Sequence, residues 1–315
     1  MINANRVERW KADVAESVRM YNDWFFDATP QAFRESRAAA VQQVLDAFAA
    51  TNQARSFSPE VLRNSPAIIT VWRMMTAPPI ARDRLVGLSG IKSRSFVKSL
   101  ESGKLPRQMT PVALNDGLEK VCNVIKRLLD HELIPWATAP AAPDENTVRI
   151  AATVIADRLC GTLSDPIIRN AQEERQLQAI AAYLDSFGYR CTAIPAEGFQ
   201  AMGKGSYSFR ANVPTRGENP VNMPIDVIIQ PKAPSDSRLP ILIECKSAGD
   251  YTNTNKRRKE EAQKIHQLRE TYGKQIKFVL FLCGYFDSGY LGYEAAEGID
   301  WIWEHRIEDM QELGL

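Results

Sequence analysis

Paired cysteines are the first thing this chain does without. Its five cysteines, Cys122, Cys160, Cys191, Cys245 and Cys283, are odd in number, scattered and never spaced C-x-x-C. That excludes a zinc ribbon and a disulfide framework, and points to reduced thiols in a cytoplasm. Histidine is scarce as well: His131, His266 and His305 stand too far apart in sequence for a metal triad or a histidine-based catalytic motif. No apolar run approaches the roughly 20 residues of a membrane span, and the charged first residues lack the apolar segment of a secretory signal. Neither a membrane protein nor an exported one is expected. A one-sided charge is also missing, since 39 Lys and Arg face 38 Asp and Glu, so the chain as a whole does not attract a polyanion. No internal repeat or low-complexity tract is present.

What is there begins with local charge. Residues 80–107 hold seven basic side chains, Arg82, Arg84, Lys92, Arg94, Lys98, Lys104 and Arg107, against Asp83 and Glu101. Residues 246–277 hold nine basic against four acidic, whereas 284–315 hold one Arg against eight acids. Any polyanion site therefore belongs to the first two stretches.

The length, with 44% hydrophobic residues, permits two full-sized cores. Apolar residues at three- and four-residue spacing predict helices over 4–23 and 30–50, with Trp24, Phe25 and Phe26 between them. Pro59 and Pro66 start short helices, Pro78 and Pro79 end the apolar segment 68–75, and 115–133 reads as a further helix. Pro135, Pro140 and Pro143 favour extended backbone and place a domain boundary near residue 140. Beyond it, helices over 147–159 and 165–187 precede strands near 189–194, 207–213, 223–230 and 240–246. A basic helix over 255–272 and a continuous apolar strand over 277–283 follow, the strand being of the kind covered on both faces. The class is α/β, more closely α+β: a mixed sheet flanked by helices over 141–315, with a helical domain over 1–140.

The strand Pro240-Ile241-Leu242-Ile243-Glu244-Cys245-Lys246 ends by presenting a carboxylate and an ammonium two residues apart. Alternation puts Ile241, Ile243 and Cys245 on one face and Leu242, Glu244 and Lys246 on the other. The strand before it carries one acid, Asp226, among apolar β-formers. If the two strands are neighbours, Asp226 lies beside Glu244 and Lys246. Two carboxylates then suit a hard cation such as Mg²⁺, and the lysine supplies a point charge for a phosphoryl oxygen or an attacking hydroxide. A strand-end salt bridge on an exposed face is the alternative.

At these residues the chain resembles the PD-(D/E)XK nuclease superfamily, with Asp226 as the first acid and Glu244-Cys245-Lys246 as the E-x-K element. Pro224 is separated from Asp226 by Ile225, a departure the family tolerates. Over roughly residues 160–315 the chain resembles, more narrowly, the XamI-type restriction endonucleases. That resemblance rests on Arg169-Asn170-Ala171-Gln172-Glu173, on Glu244 to Asp250, on Asn255-Lys256-Arg257-Arg258-Lys259-Glu260-Glu261, and on Gly284-Tyr285-Phe286-Asp287 through Trp301-Ile302-Trp303-Glu304-His305-Arg306. Weaker similarity surrounds Thr76 to Arg84.

The resemblance implies a Mg²⁺-dependent type II restriction endonuclease that cuts both strands of a short palindromic DNA site and leaves 5′-phosphate ends. The implied site is GTCGAC. Asp226 and Glu244 would hold the metal, Lys246 would orient or deprotonate the attacking water, and Glu173 from the preceding helix would support that water. For Glu173 a solvated helix face paired with arginine is the alternative. Twofold DNA symmetry implies a homodimer, and the family implies a methyltransferase acting on the same site. The 1–140 region would then serve DNA recognition or dimerisation, and 141–315 would be the nuclease domain.

Lys256, Arg257, Arg258 and Lys259 open the basic helix, where cations gain nothing from the helix dipole. Phosphate or base contact is their expected use, with Asn253 and Asn255 adding polar readout; a solvated charge run is the alternative. Residues 85–103 resemble a helix-turn-helix carrying Lys92, Arg94 and Lys98, and plain helical-hairpin packing is the alternative. With Arg82 and Arg84 they are candidate DNA contacts either way. Residues 198–205 mimic a phosphate loop, but Gly205 stands where a hydroxyl would be needed and a strand follows, which excludes a nucleotide site. Two other functions fit the same residues: a structure-specific or repair nuclease, and a non-catalytic DNA-binding regulator built on residues 80–107.

Overall fold

The computed structural model describes the chain except residues 217–220, 234–238 and 253, and the side chains of 162–167 and 254–257. It divides into two compact units, one of Met1–Thr29 with Ile167–Leu315, the other Pro30–Pro166.

The Pro30–Pro166 unit is helical. It takes its part of α1 (Val7–Ala50), then α2 (Pro59–Asn64), α3 (Ile69–Met74), α4 (Arg82–Ser89), α5 (Phe96–Glu101), α6 (Pro111–Leu128) and the first part of α7 (Glu145–Ser186). Phe48, Trp72, Met75, Phe96, Val121 and Ile155 lie in one buried core. Local chemistry starts and stops these helices: Thr110 accepts from the Ala113 N–H to cap α6, and Gly90 ends α4 in the left-handed region at φ 63°.

Two differences from the sequence expectations have physical causes. Residues 4–23 and 30–50 are not two helices but one, α1, with Pro30 inside it. Likewise α7 is continuous where two helices are expected, with Pro166 inside it. A proline deletes one intrahelical hydrogen bond and strains one turn, which long helices with buried faces withstand. The units divide at these two prolines, not at the proline-rich stretch near residue 140. That stretch starts with a 3-10 turn, Pro135–Ala137. Trp136 within it is buried in the helical core and donates from its indole N–H to the Gln53 carbonyl at 2.9 Å.

The other unit is built on a six-stranded mixed sheet in the order β1 (Arg190–Cys191), β2 (Ser206–Pro214), β3 (Asn222–Gln230), β4 (Ile241–Ala248), β5 (Phe278–Gly284) and β6 (Asp300–Trp303). β2, β3 and β4 are antiparallel neighbours, and β4, β5 and β6 run parallel. The parallel pairs need crossovers, supplied by α8 (Thr254–Tyr272) and α9 (Ser288–Ala296). β5 is buried at every residue because both faces are covered. On one face Leu242, Leu280, Leu282, Trp301 and Trp303 pack with Ile265 and Leu268 of α8 and Leu291 of α9. On the other, Ile241, Ile243, Phe281 and Ile302 meet Leu177, Ile180 and Leu184 of α7. Each such fully buried side chain contributes roughly 1.5–3 kcal/mol relative to exposure.

One irregularity in the sheet positions the site. On β2, Tyr207 and Phe209 face the α7 side while Ala211 and Val213 face the α8 side. On β3, Val227 and Ile229 face α7 while Met223 and Ile225 face α8. Both strands exchange faces at the Arg210–Asp226 position, and Arg210 has φ 49°, a left-handed conformation that a non-glycine residue rarely adopts. The exchange directs Asp226 out of the regular alternation.

Candidate active site

Pairing of β3 with β4 ends at Val227–Ile243. Asp226 and Glu244 are the next residues on each strand, and there the ladder bond is replaced: the Asp226 Oδ2 accepts the Cys245 N–H at 2.7 Å. Glu244 is buried on the α8 face. Its Oε1 accepts from Lys246 Nζ at 2.9 Å and from Lys264 Nζ of α8 at 2.5 Å, while its Oε2 is buried without a hydrogen bond. Lys246 lies 3.7 Å from a further carboxylate, Glu261 of α8.

The electrostatics follow from burial. Asp226 is pushed up to about 6, first by burial and then by the Glu244 charge, with the Cys245 N–H and Lys246 opposing. Burial works against the Lys246 ammonium, but Glu244 and Glu261 outweigh it and hold its pKa above the ordinary lysine value. Two adjacent carboxylates, one short of charge stabilisation and the other with an unbonded buried oxygen, suit a small divalent cation that accepts oxygen ligands. Among the described residues no group of three or more His, Cys, Asp and Glu is arranged to hold a metal ion, so such a cation would complete its shell with phosphate and water oxygens. Of the residues here, Asp226 and Glu244 would hold it.

The remaining predicted residues are dispersed. Glu173 and Glu174 of α7 are tied to Arg210 of β2, at 2.9 and 3.1 Å. Glu173 reaches Asp226 only as a charge that raises its pKa. On α8 the Arg258 guanidinium lies 4.9 Å from the Tyr293 ring centre, and Lys259 is exposed. Asn253 lies outside the described residues, as do the side chains of Asn255, Lys256 and Arg257. Arg82, Arg84, Lys92, Arg94 and Lys98 are exposed on the helical unit, with Arg82 bonded to Glu101 at 3.3 Å. α5 has six residues, under two turns, and its Phe96, Val97 and Leu100 are buried in the helical core. That is hairpin packing with a basic outer face, too short for a recognition helix.

Sequence reasoning missed Lys264, Glu261, Glu294 and Gln176. Glu261 stands four and seven residues before Ile265 and Leu268, so a charge on the buried stripe of α8 is the legible signal. Glu294 stands four and three residues after buried Tyr290 and Leu291 on α9, again on the buried stripe. Gln172 and Gln176 are buried polar residues on the stripe of α7. Gln176 donates to the Phe281 carbonyl at 3.2 Å and to the Lys246 carbonyl at 3.4 Å, which fixes the helix against the strand that carries the site.

Comparison with known proteins adds independent findings. The family model described as XamI restriction endonuclease matches residues 52–303. The chain is 51% identical over 315 residues, all of both proteins, to the type II restriction enzyme SalI of Streptomyces albus G. No solved structure gives a significant match.

Proposed function

The chain belongs to the XamI restriction endonuclease family and is a type II site-specific deoxyribonuclease; from that premise we propose that it hydrolyses both strands of a short palindromic DNA site with Mg²⁺, leaving 5′-phosphate and 3′-hydroxyl ends. The site implied by the family resemblance is GTCGAC. The observation that carries the proposal is the convergence of Asp226, Glu244 and Lys246 where the β3–β4 ladder ends. A bound divalent cation supplies charge neutralisation at the scissile phosphate. The protein's own part is to hold the carboxylate oxygens of Asp226 and Glu244 toward it. Lys246 Nζ, held as an ammonium by Glu244 and Glu261, orients the attacking water and places positive charge against the developing negative charge. Glu173 supports the orientation of that water. The reaction takes place in the cytoplasm, where a methyltransferase modifying the same site protects the host DNA. No described helix is long and apolar enough to cross a membrane.

Incubating plasmid of known sequence with and without Mg²⁺ and sequencing the fragment ends tests the proposal. Discrete fragments with GTCGAC halves at their ends are expected. Asp226→Ala, Glu244→Ala and Lys246→Ala should each lower cleavage by several orders of magnitude, while Ca²⁺ supports binding without cleavage. Wild-type turnover by any of the three variants refutes the assignment of these residues.

A further inference from the structure

We infer that Glu261, held by Tyr290, is a positioning residue for Lys246: it is a second carboxylate anchor for the ammonium, one that does not depend on Glu244. Glu244 Oε1 serves two lysines, Lys246 and Lys264, and in the hydrolysis proposed above, which this inference presupposes, Glu244 also faces a divalent cation. A carboxylate that shares its charge in this way holds an ammonium less firmly. Glu261 stays with Lys246 whatever Glu244 does. It is fully buried on α8, its carboxylate is 3.7 Å from Lys246 Nζ, and its Oε2 accepts the Tyr290 hydroxyl at 2.6 Å. Tyr290 is itself buried on α9, its ring 4.8 Å from that of Phe286, so the phenol that aims Glu261 has little freedom.

The surroundings of Glu261 favour a charge used at a distance over a packing role. One turn beyond Tyr290, Glu294 is also fully buried, and burial followed by the Glu261 charge pushes it up to about 9. At neutral pH Glu294 keeps its proton; burial raises Glu261 as well, with Lys246 and the Tyr290 hydroxyl opposing that rise. Apolar residues of similar volume would hold α8, α9 and the sheet together at least as well, because a buried ion pair is often no more stabilising than its hydrophobic replacement. Burial of two acids behind the site therefore calls for a role other than packing, and the ammonium that Glu261 faces supplies one.

The test compares wild type with Asp226→Ala, Lys246→Ala, Glu261→Gln and Tyr290→Phe. For each, single-turnover cleavage of a plasmid that the wild type linearises in Mg²⁺ is measured, with binding of a duplex carrying the mapped cut site in Ca²⁺, and Tm. Loss of a charged partner at a buried ammonium should lower the Glu261→Gln rate about 30-fold, and loss of the aiming hydroxyl should lower that of Tyr290→Phe about threefold to tenfold. Duplex binding should move less than about twofold in both, since neither side chain meets DNA. A wild-type rate for Glu261→Gln, or a loss that appears in binding and not in the rate, overturns the inference. If Glu261→Gln does not fold, Tyr290→Phe decides, and a wild-type rate there overturns it. Active Asp226→Ala or Lys246→Ala would instead remove the proposed hydrolytic site itself, an outcome separate from a failure of Glu261 alone.

Discussion

Asp226 shows how one residue couples the stability of the site to its use. Its folded-state pKa of about 6 stands above the ordinary 3.8, so the folded protein binds this proton more tightly than the unfolded chain does. A raised carboxyl stabilises below the unfolded value and loses that contribution as pH rises through the folded one. At pH 8 the ionised Asp226 therefore works against folding, and Asp226→Asn should raise the Tm by several degrees there while leaving it unchanged at pH 4. Calorimetry at the two pH values checks this, and a Tm lowered at pH 8 would contradict it. The same proton competes with a divalent ion. Affinity for Ca²⁺ should rise about tenfold per pH unit up to about 6 and then level off, as one-proton linkage requires; titration calorimetry across pH 5–8 reads it directly.

Among the elements, the strands that carry the chemistry were legible and the helices that support it were less so. The Glu244-x-Lys246 alternation and the single acid of β3 state which side chains share a face, because a strand's period of two leaves no choice. Absent from the sequence pattern were the left-handed Arg210 that redirects Asp226, and the strand β6, whose four residues are too few for alternation to show. Long-range contacts fix both. Lys264 and Glu261 were hidden for another cause: α8 is so highly charged that the acid on its buried stripe reads as one more solvated charge. The exposed bases of the helical unit make a prediction at this scale. Replacing Arg84, Lys92, Arg94 and Lys98 by Gln, singly, should weaken binding of cognate and random duplexes alike and lower the salt slope by about one per phosphate contact removed. A loss confined to cognate DNA would mean base readout there. Arg258, partly engaged by Tyr293, should give a smaller uniform loss than Lys259.

For the whole molecule, the symmetry of the proposed substrate sets the strongest demand. Each chain supplies one Asp226, one Glu244 and one Lys246 to the site proposed above. A single such site serves one phosphodiester at a time, so concerted cutting of a palindrome calls for two copies related by a twofold axis, each taking one strand. With a chain of 35.4 kDa, light scattering of the protein bound to its site in Ca²⁺ should give twice that protein mass. A sharper outcome comes from mixing tagged wild type with Asp226→Ala and isolating the mixed dimer. Its wild-type half should cleave one strand at close to the normal rate and its other half none, so supercoiled plasmid should accumulate as nicked circle. Wild-type homodimer should pass straight to linear product. Linear product from the mixed dimer at the wild-type rate would show that one subunit cuts both strands, and the twofold arrangement proposed for this enzyme would fall.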